Sequence, residues 1–270
     1  MQLYITTQSM NWSFEKYQGT GNDFIIIDDR RKEFPQDEKL ISRLCDRKFG
    51  IGSDGLMLIR DATQDFEMIF FNPDGSKSLC GNGSRCAVQF ARSTGLAGEN
   101  GIFSTTDGEH LYRTTADTVG IQMHNISRID EIAGYTFLNT GSPHVVIEKD
   151  LLDDLNIEQE AKPVRHNKAF EHMGGANVNF VEVLETGGLK VRTFERGVEN
   201  ETLSCGTGVT AVALAIADTM DIESPVEVYT KGGKLFVHFE KRDGQFENIW
   251  LQGPARFVYK GIIDLDDIRE

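Results

Sequence analysis

Apolar residues run along this chain in short stretches broken by glycine and polar pairs. Residues 24–28 (FIIID), 66–72 (FEMIFFN), 143–148 (PHVVIE) and 189–195 (LKVRTFE) are alternating or continuous apolar runs too short for helices. Each predicts a strand. Further strands follow from IFSTT, EHLYRTT and VGIQMH, and again from PVEVYT, KLFVHFEK and ENIWLQ. Asp107-Gly108, Gly232-Gly233 and Asp243-Gly244 supply the hairpin signals between them. Two segments read as helices, AVQFARSTGL and VTAVALAIADTM. The second is apolar nearly all round, as a helix enclosed by a sheet should be.

The features come in the same order twice. TGNDFIIID at 20–28 corresponds to TGSPHVVIE at 140–148, the strand at 66–72 to that at 189–195, and LCGNG at 79–83 to SCGTG at 204–208. The offsets are 120, 123 and 125 residues, a drift that small loop insertions explain. The expected architecture is therefore α+β. Two pseudo-symmetric domains each wrap a curved, mostly antiparallel, barrel-like sheet around one central helix. The reading places the first domain at 12–128, completed by a strand at about 257–270, and the second at 129–256. Residues 1–11 form a short N-terminal extension.

Composition narrows the functional classes. With 39% hydrophobic and 26% charged residues the chain is ordinary for a globular protein. A net charge of −14 argues against a surface that neutralises phosphates, so nucleic acid is not an expected partner. No apolar run reaches the roughly 20 residues that span a bilayer, and the N-terminus lacks the order of a signal peptide. A cytoplasmic, membrane-free protein is expected. Four cysteines, at 45, 80, 86 and 205, are too sparse for a disulfide scaffold, and the Cys80/Cys86 spacing fits no common zinc pattern.

Two of those thiols share a setting. Cys80 and Cys205 each precede a glycine at the start of a helix, whereas Cys45 lies in an amphipathic run and Cys86 one turn and more inside a helix. The latter two read as core. A helix N-terminus carries unpaired N–H groups and partial positive charge, so it lowers a thiol's pKa and attracts carboxylates. The glycines let a ligand approach the backbone. Two such helix starts on either side of a small molecule have the geometry to remove a proton from one face of a carbon and return one to the other.

With these pieces assembled, KYQGTGNDF, GIGSDGL, FNPDGS, CGNGSRC, GSPHVV, FERGVENET and SCGTG occur in an order that resembles the diaminopimelate epimerases from about Phe14 onward. The resemblance implies interconversion of LL- and meso-2,6-diaminopimelate, a step feeding lysine and peptidoglycan synthesis. It implies one cysteine as thiolate base and one as thiol acid, with neither pyridoxal phosphate nor metal, in a homodimer. By matched motif the two cysteines are Cys80 and Cys205. Asn22, Asn72 and Asn177 match the substrate-binding asparagines, though each taken alone reads as a turn residue. Gly81, Asn82, Gly206 and Thr207 offer backbone N–H groups to the reacting carboxylate. Glu195 and Arg196 recognise the ammonium and carboxylate, and His144 and Glu195 each neighbour one thiol and set its protonation. Two positions depart from the pattern: Ser142 stands where asparagine is common, and Gly55 where some members have glutamine, so Gly55 is left out of the site. A proline or hydroxyproline racemase shares the paired-thiol logic, and a redox pair is the reading from another class.

Overall fold

Residues 11–78, 80–220 and 222–269 are described by a computed structural model of the chain. Of the extension expected at residues 1–11, residues 1–10 fall outside them, and Asn11 opens the first strand. Contacts divide the described residues into two units, one of residues 11–18, 23–110 and 256–269, the other of 19–22 and 111–255.

In the first unit, β1 (Asn11–Gly19) turns into β2 (Asn22–Asp28), and helix α1 (Glu38–Cys45) leads to β3 (Gly55–Arg60), which pairs parallel with β2. Asp37 caps α1 by accepting from the Leu40 N–H at 2.9 Å. β4 (Phe66–Phe71) returns antiparallel to β3 and feeds α2 (Gly81–Ser93), after which β5 (Asn100–Thr105) pairs parallel with β4. The unit is closed by a strand from far along the chain, β17 (Arg256–Asp264), antiparallel to β1. Helix α2 packs on β3, β4 and β17. Tyr17 joins these layers, its ring edge-on to Phe90 of α2 at 6.1 Å and to Phe257 of β17 at 5.6 Å.

The second unit repeats the scheme. Here β9 (Tyr135–Asn139) pairs antiparallel with β10 (Pro143–Glu148), and α3 (Ile157–Arg165) crosses to β11 (Asn177–Val183), parallel to β10. β12 (Leu189–Glu195) returns antiparallel and, past a short strand at Asn200–Thr202, the chain enters α4 (Gly206–Met220). β14 (Val226–Thr230) then lies parallel to β12, and β15 (Gly233–Arg242) and β16 (Gln245–Gly253) complete a meander. Helix α4 packs on strands β9 to β12 and β14 to β16. Val209 and Ala211 through Ala217 are all buried, the all-round burial expected from its sequence. At the hairpin between β15 and β16, Asp243 and Gly244 both have positive φ, 50° and 77°, as an Asp-Gly hairpin turn requires.

These units do not divide at the repeat boundaries. β7 (Val119–Gln122) belongs to the first sequence half, yet it pairs antiparallel with β16 from Val119↔Gly253 to Gln122↔Trp250. Residues 111–128 therefore sit with the second unit, whereas the reading from sequence grouped them with the first. β17 makes the opposite exchange. Each half thus lends a late strand to the other half's unit. Within both, parallel pairs at the helical crossovers make the sheet mixed, with antiparallel pairs in the majority.

Candidate active site

In the first unit Cys80 is the N-cap of α2, with extended backbone at φ −131° and ψ 113°. Its carbonyl accepts from the N–H of Ser84 at 2.8 Å and from the Ser84 hydroxyl at 3.0 Å. The thiol is partly exposed. A side chain at Gly81 would meet nothing within 4 Å, so the backbone there is open to an approaching group. Asn82 is buried, and its side-chain oxygen accepts from Arg85 at 2.9 Å, leaving its main chain as the part that faces the helix start. Asn72 is occupied by its own turn. Its amide donates to the Ser76 hydroxyl at 2.9 Å and accepts from the Ser78 hydroxyl at 3.1 Å, which shapes the loop leading to Cys80.

The second unit surrounds Cys205 with a deeper network. Cys205 precedes α4, is 8% exposed, and accepts the Val209 N–H on its carbonyl at 2.9 Å. Its sulfur lies 3.5 Å from the Thr207 hydroxyl. That hydroxyl is 2.9 Å from Nε2 of His144 and 3.2 Å from the hydroxyl of Ser142, which is itself 2.9 Å from the same Nε2. Thr140 donates to the Thr207 carbonyl at 2.8 Å and pins this segment to the Gly-Ser turn. The Ser142 departure therefore has a role: a short hydroxyl completes a ring of hydrogen bonds beside the thiol. Asn22 lies in a turn that groups with the second unit. Its turn, residues 19–22, packs against Leu203, and a Cβ at Gly232 would lie 1.8 Å from the Thr20 carbonyl oxygen, so only glycine admits this approach.

Asn177 is buried and acts within the protein. Its amide donates to Pro143 O at 3.0 Å and to Ser142 Oγ at 3.2 Å, and its oxygen accepts the Arg196 N–H at 2.8 Å. It thereby fixes the backbone that carries Glu195 and Arg196. Burial raises the Glu195 carboxyl above the usual carboxylate range. The Arg196 guanidinium donates to Met173 O at 2.6 Å. Gly55, left out of the site, could carry no side chain: a Cβ would lie 2.5 Å from the Phe70 ring. Cys45 and Cys86 are buried, and burial pushes both thiols up.

Three residues escape a reading of the sequence. Asn179 and Thr193, in register across β11 and β12, and Gly208 in α4 stand behind His144. The available signal was ANVNF, where two asparagines two apart put polar groups on one face of an otherwise apolar strand. Among the described residues, no cluster of three or more His, Cys, Asp or Glu side chains is placed to hold a metal ion, and no helix is long and apolar enough to cross a membrane.

His144 makes the folded state acid-sensitive. Burial first, and the Arg196 charge next, lower its pKa from 6.5 to about 3. Between those values the unfolded chain binds a proton that the folded chain does not. The stability it confers is complete above the unfolded pKa and falls as pH drops toward 3. At about pH 5 the loss is roughly 2 kcal/mol. Urea unfolding at pH 7 and pH 5 should show this loss in the native chain and less of it in His144→Asn; equal losses would remove His144 as the cause.

Known proteins similar to this chain identify its family. The sequence profile of the diaminopimelate epimerase family matches residues 14–127 and 136–258. A diaminopimelate epimerase of Flavobacterium psychrophilum is 44% identical over 253 residues, covering 92% of this chain and 98% of the relative. That of Chlorobaculum tepidum is 39% identical, covering 92% and 99%. Among solved structures, a phenazine biosynthesis protein of the PhzF family from Bacillus anthracis superposes with a TM-score of 0.75 at 15% identity, covering 94% of this chain and 99% of that one. A hydroxyproline epimerase from Agrobacterium vitis reaches 0.66 at 14% identity, covering 95% and 93%. These distant structures share the fold, while the profile and the relatives carry the family assignment: the chain belongs to the diaminopimelate epimerase family.

Proposed function

We propose that this isomerase interconverts LL- and meso-2,6-diaminopimelate with Cys80 and Cys205 as its two bases. One thiolate takes the α-proton, leaving the electron pair on a carbanion delocalised into the adjacent carboxylate. The other thiol gives its proton to the opposite face, so the two sulfurs exchange protonation states over a turnover. The N-terminal turns of α2 and α4, through Gly81, Asn82, Gly206 and Thr207, favour the negative charge that develops on that carboxylate. Arg196 supplies the cation and Glu195 the anion that a zwitterionic substrate calls for, and an ammonium beside Glu195 works against the upward shift that burial imposes on its carboxyl. Asn22 and Asn72 enter as substrate-binding residues by their matched motifs, and Asn177 holds Arg196 in place. The route uses no cofactor, and we place it in the cytoplasm.

The observation that carries this reading is the setting of Cys205, a thiol at a helix start with the Thr207 hydroxyl 3.5 Å from its sulfur and a buried histidine behind that hydroxyl. Turnover of LL-diaminopimelate in deuterated water tests it. The expected product is meso-diaminopimelate with solvent deuterium on the inverted α-carbon. Inversion with the original hydrogen retained would overturn the two-thiol route, and turnover of proline without turnover of LL-diaminopimelate would overturn the substrate.

A further inference from the structure

Behind His144 the polar groups are arranged so that one ring tautomer is allowed. The Asn179 amide nitrogen donates to the Val145 carbonyl at 2.9 Å, and the Thr193 hydroxyl donates to the Asn179 oxygen at 2.9 Å. A carbonyl can only accept, so the orientation of this amide follows from its neighbours. Its second N–H points at Nδ1 of His144, 3.1 Å away. Nδ1 is therefore an acceptor and the neutral ring carries its proton on Nε2. We infer that Asn179, locked by Thr193, is a positioning residue that sets the His144 tautomer and thereby aims the Thr207 hydroxyl at the Cys205 sulfur.

The proton count along the network supports this. Nε2–H donates toward the oxygens of Thr207 and Ser142, both 2.9 Å away. Ser142 already accepts from Asn177 at 3.2 Å and can donate onward to Thr207. The Thr207 proton is then turned to Cys205. The opposite tautomer would set two N–H groups head-on at 3.1 Å and make Nε2 an acceptor that draws the Thr207 proton away from the sulfur. The charged group acting on the ring is Arg196, which also disfavours the doubly protonated form. Helix α4 presses on the same pair: a Cβ at Gly208 would lie 2.4 Å from the Asn179 oxygen and 3.3 Å from Cε1 of His144.

This inference rests on Cys205 being one of the two bases, and its test is independent of turnover. Nitrogen-15 histidine spectra of the native chain near neutral pH should show His144 with a bare Nδ1 and a protonated Nε2. The pH profile of iodoacetamide alkylation, read separately on the two cysteines by peptide mass, should then change in Asn179→Leu. At fixed pH, about three- to tenfold less Cys205 thiolate is expected, the worth of one net hydrogen bond, with the Cys80 profile unmoved. Thr193→Val, which frees the amide at nearly constant shape, should move Cys205 in the same direction by less. A protonated Nδ1 in the native chain overturns the inference. So does an unmoved Cys205 profile in Thr193→Val or in a folded Asn179→Leu. If Cys205→Ser remained an active epimerase, the functional reading would fail while the tautomer and alkylation results stood.

Discussion

Alanine at either Cys80 or Cys205 is expected to slow epimerisation about 10²- to 10⁴-fold, the usual contribution of a positioned general acid or base. A less obvious consequence distinguishes two bases from one. A single remaining thiolate can still remove the hydrogen that faces it and return deuterium from solvent to that same face. Each variant should therefore exchange the α-hydrogen of one stereoisomer without inverting it, and the two variants should differ in which stereoisomer they exchange. Proton spectra of LL- and meso-diaminopimelate in deuterated water read this directly. Cys86→Ala serves as the control, because its thiol is fully buried and pushed up by burial. If either Cys80→Ala or Cys205→Ala epimerised at the native rate, that residue would be no base.

The second large effect is expected from Gly208→Ala. Its Cβ would fall 2.4 Å from the Asn179 oxygen, and that oxygen cannot swing aside because its amide is bonded to Val145 and Thr193. Overpacking of this kind costs roughly 1–3 kcal/mol, and here the displaced group is the one behind His144. Both the denaturation midpoint and kcat should fall. The corresponding glycine of the first half gives the contrast. At Gly83 a Cβ would meet Cys80 Cβ at 3.4 Å and the Met57 sulfur at 3.5 Å, which is ordinary contact. Gly83→Ala should thus be neutral or gain up to about 1 kcal/mol from the better helix propensity of alanine. Equal sensitivity of the two positions would mean that Gly208 is not set by Asn179.

The contrast shows what could be read from sequence and what could not. Local pattern located the strands, the Asp-Gly hairpin at 243–244 and both Cys-Gly helix starts, because each is decided by backbone preference and apolar period within a few residues. The internal repeat marked Cys80 and Cys205 as matching helix starts and sent Cys86 to the core. Pattern alone was silent on β7 beside β16, and the repeat grouped 111–128 with the first domain where contacts group them with the second unit, since strand partners far apart in the chain leave no local trace. Asn179 and Thr193 were hidden for a different reason. Each reads as the polar member of an ordinary alternating strand, and their purpose appears once β11 and β12 are in register and α4 is laid against them. Matched motifs picked out Asn72 and Asn177, and what only the structure adds is the bonding of their amides to the protein's own loop and backbone.

The exchanged strands bear on how the protein is made. β1 leaves the ribosome long before its partner in the pairing from Asn11↔Asp264 to Gln18↔Arg256. Until then Phe14 and Tyr17 lack the rings of Tyr259 and Phe257 that cover them. The second unit can complete its sheet earlier, since β7 is already waiting when β16 emerges. The first unit therefore waits on a strand made after all of the second, and a chain cut after residue 255 would keep the pairing of β7 with β16 while leaving β1 without β17.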